Sequence, residues 1–128
     1  MFIRFVIARR DEDSGRRQGL IQAADGLRAT SRMSEADEQR LDELERWFRQ
    51  NLPVPTRLAL SPKPRRKAQA ISWFKDTAAE HITRMREYQE LLEDYGFVVQ
   101  MLCEKRPGYI VYEDEHQVAA YPFAETGC

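Results

Sequence analysis

Four of the chain's six prolines fall between Pro53 and Ala68, in the stretch PVPTRLALSPKPRRKA. Proline has no backbone N–H and pushes the residue before it out of the helical conformation, so neither a helix nor a central strand can cross this stretch. It reads as a connector, residues 53–68, that is partly extended and ends in a basic cluster at Lys63, Arg65, Arg66 and Lys67. Regular structure has to form on either side of it. At 128 residues the chain is the size of one domain, so 1–128 is expected to be a single domain in which both flanks share a core. A hydrophobic content of 42% is enough to build that core.

Before the connector, Met1 to Ala8 reads as a strand in which Ile3, Phe5 and Ile7 alternate with Phe2, Arg4 and Val6. Arg9 to Gly19 reads as a charged loop. A short helix follows, with Leu20, Ala23, Ala24 and Leu27 on one stripe and Gly26 weakening it. Ser34 is the N-cap of a stronger helix, with Asp37 three residues on, and Leu41, Leu44, Trp47, Phe48 and Leu52 form its buried face. After the connector, Ala70 to Phe74 reads as a short strand. The third helix starts near Thr77 with Glu80 as its capping partner, buries Ile82, Met85, Tyr88, Leu92 and Tyr95, and stops at Gly96. Phe97 to Cys103 is apolar on both faces, which predicts a central strand. Arg106-Pro107-Gly108 signals a turn, and Tyr109 to Tyr112 and Gln117 to Tyr121 are two further strands around the loop Glu113 to His116.

The order β-α-α-β-α-β-β-β predicts an α+β domain with a mixed sheet of about five strands and its helices mainly on one face. The segment Ile71 to Leu102 resembles a right-handed βαβ crossover. The last three strands resemble an antiparallel meander.

Four blocks resemble a family of small uncharacterised bacterial proteins: NLPVPTR (Asn51 to Arg57), ISWFK (Ile71 to Lys75), EHITRM (Glu80 to Met85) and RPGYIVYEDEHQVAAYPF (Arg106 to Phe123). The resemblance implies a single bacterial domain. It carries no activity, cofactor or catalytic residue.

Charge is balanced overall and bipolar along the chain. Residues 1–68 hold 15 basic and 10 acidic residues, a net of +5, and residues 69–128 hold 5 and 11, a net of −6. No apolar run approaches the length of a membrane span. Two cysteines, Cys103 and Cys128, make no disulfide framework, which points to a reducing cytoplasm. Cys103 ends an apolar run and reads as core, so its pairing with His81 or His116 as nucleophile and base is disfavoured. His81 reads as a histidine on the exposed or boundary side of the third helix. The acidic runs Asp11-Glu12-Asp13 and Glu113-Asp114-Glu115 lack calcium-loop spacing and read as solvated loops. Neither GxxxxGK[ST] nor GxGxxG occurs, so no cofactor and no metal are expected.

The reading that remains is a small non-enzymatic binding or regulatory protein. Its partner would be another protein, as for an inhibitor or accessory factor of a nucleic-acid-binding complex. Glu90, Glu93, Asp94, Glu113, Asp114 and Glu115 would be the contacts, with Tyr109 and Tyr112 if their sheet edge is open. One alternative is phosphate or nucleic-acid contact through Arg9, Arg10, Arg16 and Arg17 with Lys63, Arg65, Arg66 and Lys67. Another is an enzyme site near the 75–81 strand–helix junction, built on Lys75 and His81.

Overall fold

The computed structural model describes residues 1–12, 15–53, 70–124 and 126. The cluster Lys63, Arg65, Arg66 and Lys67, most of the connector, and Asp13 and Cys128 lie outside the described residues. The elements in chain order are β1 (Phe2–Arg10), β2 (Arg17–Gly19), α1 (Leu20–Ala29), α2 (Glu35–Asn51), β3 (Ile71–Lys75), α3 (Ala79–Asp94), β4 (Gln100–Glu104), β5 (Tyr109–Glu113) and β6 (Gln117–Tyr121). This is the expected α+β organisation, with one more strand than the sequence patterns announce.

The added strand comes from the segment expected to be a charged loop. β1 continues to Arg10, the chain turns, and β2 returns antiparallel with Arg10 opposite Arg17 and Val6 opposite Gly19. The turn closes where the Asp11 N–H donates to the Arg16 carbonyl at 2.7 Å and the Gly15 N–H donates to the Asp11 carbonyl at 2.9 Å.

β1 organises the sheet. One of its edges pairs with β4 over its first half, from Phe2 opposite Glu104 to Val6 opposite Gln100. Its other edge is shared, because β3 pairs only at Phe2 and Ile3 and β2 takes over at Val6. Beyond β3 come β6 and then β5, and every pairing among the described residues is antiparallel. β3 and β4 therefore run parallel to each other with β1 between them, so the segment read as a simple crossover is a split one. β4 is an edge strand rather than the expected central one, and it stands across the sheet from the β5–β6 hairpin rather than opening a meander. Its exposure agrees: Met101 and Cys103 are exposed, and Val98 just before it is 81% exposed.

Alternation in β1 sets the two faces. Ile3, Phe5 and Ile7 join Leu20, Ala24 and Leu27 of α1, Leu41, Leu44 and Phe48 of α2, and Met85, Tyr88, Leu91 and Leu92 of α3 in one core. The opposite face carries a smaller cluster of Ile71, Trp73 and Val118 with Phe2 and Leu102. Ser34 caps α2 as expected, its Oγ accepting from the Asp37 N–H at 3.1 Å. Tyr95 then ties the two long helices together: its hydroxyl donates to Asp37 Oδ2 at 2.6 Å and accepts from the Ser34 N–H at 2.9 Å. α3 begins after Ala78 with no side-chain cap, not at a Thr77 box.

Gly108, in the turn before β5, has φ +148°, and a Cβ built on it would lie 2.0 Å from the Tyr121 carbonyl oxygen. Gly96 after α3 has φ +88° with open space around it. Gly96→Ala is expected to lose only the backbone strain, about 1–2 kcal/mol. Gly108→Ala adds a collision with backbone and should lose more, about 3–5 kcal/mol. Urea denaturation of the two variants checks the ranking, and equal losses would refute the crowding at Gly108.

Candidate functional site

The β5–β6 hairpin holds the densest polar structure among the sequence-predicted residues. Asp114 opens its turn and accepts from the backbone N–H groups of His116 at 2.9 Å and Gln117 at 3.0 Å through Oδ1. Through Oδ2 it accepts from the Tyr112 hydroxyl at 2.8 Å and from Gln117 Nε2 at 3.0 Å. Desolvation pushes the Asp114 carboxyl up. The bonds from the Gln117 side chain, the His116 backbone and the Tyr112 hydroxyl outweigh it and hold the group below the ordinary carboxylate range. The Tyr112 phenol is correspondingly raised, first by its bond to Asp114. Asp114 and Tyr112 thus spend their polar groups on the turn itself. Gln117 is 2% exposed, and its Nε2 also donates to the Pro53 carbonyl at 2.5 Å, which moors the chain leaving α2 to the sheet.

The hairpin's outer side is different. β5 pairs only with β6, so its other edge is unpaired among the described residues. Tyr109 is 73% exposed at the start of that strand, and Ile110 beside it is exposed too. The Tyr109 ring meets Phe123 edge-on at 6.2 Å, and the Arg106 guanidinium lies over the same Phe123 ring at 5.2 Å. Glu113 and Glu115 are exposed at the far end, Glu113 bound to Lys75 Nζ at 2.6 Å.

The remaining acidic residues lie elsewhere. His116 stacks on His81 in the first turn of α3, with ring centroids 4.3 Å apart. Glu93 and Asp94 lie about 18 Å further along that helix. Glu90 is paired with Arg40 at 3.0 Å. The structure therefore divides the acidic residues into two groups at opposite ends of α3.

The arginines of the first half gather better. The β1–β2 hairpin carries Arg9, Arg10, Arg16 and Arg17 together, with Arg10 Nη1 donating to the Gly15 carbonyl and Arg17 Nη1 to Gln100 Oε1.

Lys75 and His81 do not form one site. Lys75 points with Phe2 to the sheet face away from the helices, towards Glu113. His81 is 4% exposed on the helical side, against Trp47, Phe48, Phe74 and His116, so it is a core residue and not the boundary histidine expected. Its Nε2 lies 2.8 Å from the Asn51 carbonyl, which can only accept, so Nε2 carries the proton and the buried Nδ1 is left without a partner. Cys103 is exposed on β4, correcting its reading as core. Among the described residues no three His, Cys, Asp or Glu side chains gather as a metal site, and no helix is long and apolar enough to cross a membrane.

Sequence reasoning missed a cavity. Where β3 parts from β1 after the Ile3–Phe74 pair and before β2 joins at Val6, the sheet forks. A cavity of about 670 Å³ occupies the fork and the space under α1, α2 and α3. Trp73 and Tyr88 line it at 1% and 0% exposure, and neither the indole N–H nor the phenol oxygen meets a protein partner. Each such buried group costs about 1–3 kcal/mol if left alone. Burial, then the nearby Glu45 and Asp25 charges, push the Tyr88 phenol far above its ordinary value, so it keeps its proton.

Comparison with protein-family models, with curated proteins and with solved structures finds no match.

Replacing Asp114 removes four hydrogen bonds at once. Asp114→Ala should lose about 1–3 kcal/mol at pH 7. Because the folded carboxyl lies below its unfolded value of about 3.9, its contribution is complete above that pH and disappears as the pH falls through the folded value. Denaturation of both proteins at neutral and acid pH checks this, and a gap that stays constant below about pH 3 would contradict it.

Proposed function

We propose that the chain is a binding protein that docks a partner protein along the open edge of β5. The observation that carries this reading is Tyr109, 73% exposed on an edge strand, braced by Phe123 under Arg106. Tyrosine and arginine held in place by neighbouring rings are the side chains that concentrate binding energy in protein interfaces. An edge strand also offers a row of backbone donors and acceptors to an extended segment of a partner. Glu113 and Glu115, at the far end of the strand from Tyr109, favour a partner segment of basic character. Tyr112 and Asp114 act in this reading as supports, since their polar atoms hold the turn.

A photo-crosslinking residue at position 110, expressed in a native host, is expected to trap one major protein, whereas the same residue at the exposed Glu43 of α2 traps none of it. With that protein purified, Tyr109→Ala should weaken binding about ten- to thirty-fold. Trapping only a second copy of this chain, or the same protein from both positions, would overturn the reading.

A second reading is favoured by the hairpin that gathers Arg9, Arg10, Arg16 and Arg17. Electrostatic contact with phosphates is strongest at low salt. If the hairpin serves nucleic acid, a single-stranded oligonucleotide shifts in a gel at about 50 mM salt and the shift fades by about 200 mM. No shift at the lower concentration ends this reading.

A further inference from the structure

The β4 margin lies on the other side of the sheet from β5. Among the described residues β4 pairs only with β1, and that ladder runs from Phe2 opposite Glu104 to Val6 opposite Gln100 with no register shift. Its outer edge is therefore regular. The run Val98 to Cys103 holds no charge, no proline and no glycine. Within it Val98, Gln100, Met101 and Cys103 are exposed. Native proteins blunt an edge strand with charge, proline or a bulge, or they cover it. Neither charge nor proline falls in this run and no bulge interrupts β4, which leaves cover.

Charge decides what covers it. Residues opposite each other in a ladder share a face of the sheet. Gln100, Leu102 and Glu104 lie with Phe2 on the face away from the helices, and Met101 and Cys103 lie with Phe5 and Ile3 on the helical face. Gln100 holds a cation beside it, because Arg17 Nη1 donates to its Oε1 at 2.5 Å. Glu104 ends the strand on the same face. A strand with a cation at one end and an anion at the other complements its own reverse. Two-fold pairing sets residues of one face against each other, so the axis passes through Met101, Leu102 or Cys103. At Met101 it sets Glu104 against Val98 of the second copy, and at Cys103 it sets Glu104 against Leu102. Only at Leu102 does Glu104 meet Gln100 and its arginine, and there the 5 residues of β4 are all paired. Met101 and Cys103 of the two copies then cover each other on the helical face.

We propose that the chain forms a dimer in which β4 pairs antiparallel with β4 of a second copy about a two-fold axis at Leu102. The contact is isologous, so it uses both edges and closes at two copies. It is independent of the β5 edge.

The paired segment is short, so association should be reversible, with a Kd of about 1–100 µM. Sedimentation velocity of the full chain from about 1 to 300 µM should show a monomer–dimer equilibrium. Glu104→Arg sets a cation against the Arg17–Gln100 pair at both ends of the contact and should weaken dimerisation about ten-fold. The double variant Gln100→Glu, Glu104→Arg exchanges the charges and should recover it. Glu43→Arg, the same charge change at an exposed position of α2, should leave dimerisation as it is. A photo-crosslinking residue at the exposed Met101, in a mixture of light and heavy-isotope chains, should join chains of unlike mass at residues 102–104. This crosslink tests the same register if Glu104→Arg does not melt cooperatively. Any one of five results would overturn the proposal: a monomer throughout the range, crosslinks only within one chain or outside β4, undiminished dimerisation in a folded Glu104→Arg, no recovery in a folded double variant, or an equal loss in Glu43→Arg.

Discussion

One strand has more neighbours than it has edges. β1 gives one edge, over Phe2 to Val6, to β4 and divides the other between β3 and β2. Two strands cannot occupy the same edge at the same height, so β3 must turn away where β2 arrives, and the sheet opens. The fork and the cavity within it descend from this division. β4 outside β1 and β5 outside β6 are margins of the sheet, with Met101 and Cys103 exposed on one and Tyr109 and Ile110 on the other.

The polar structure of the molecule follows from how its two halves are tied across the connector. α2 ends at Asn51, whose carbonyl receives the His81 imidazole, and two residues on the Pro53 carbonyl receives Gln117. These bonds bring the end of α2 to the start of α3 and to β6 at one point. Tyr95 makes the matching tie at the other end of the helix pair. The bipolar charge of the sequence is met only in part by pairs that cross between the halves, such as Arg40 with Glu90. Arg28 stays within its own half, bonded to Asp42 and Glu45.

Much of the fold was legible in the sequence. Ser34 followed by Asp37 marked the start of α2, and the spacing of Leu41, Leu44 and Phe48 marked its buried face. The alternation of Ile3, Phe5 and Ile7 identified the helical side of β1. Strand order was not legible, because a period of two tells which face is buried and says nothing about which strand lies alongside. Phe97 to Cys103 looked central on hydrophobicity alone, yet its first residues precede β4 and its odd positions on the strand are exposed. The cavity was illegible for the same reason, since it arises from a pairing that stops. His81 carries a signal of its own: Met85, Tyr88 and Leu92 follow it at four, seven and eleven residues and complete one buried stripe. A polar residue on that stripe reads as surface only if its polarity is weighed above its position. Of the residues expected to contact a partner, Tyr109 and Tyr112 share β5 beside the acidic turn, and the distance between Glu113 and Glu93 needed the fold to become visible.

The sharing of β1 also bears on how the protein is made. Its shortest-range neighbour, β2, leaves the ribosome almost with it, whereas β4 lies close to a hundred residues downstream. At bacterial or eukaryotic elongation speeds that gap is about 5–20 s. Throughout it β1 is a strand with an unoccupied edge, apolar on one face, which is the kind of segment that recruits other nascent chains. The guanidiniums of Arg4, Arg9 and Arg10 are distributed along that strand. Charges so placed oppose edge-to-edge pairing between copies for as long as that edge is unfilled.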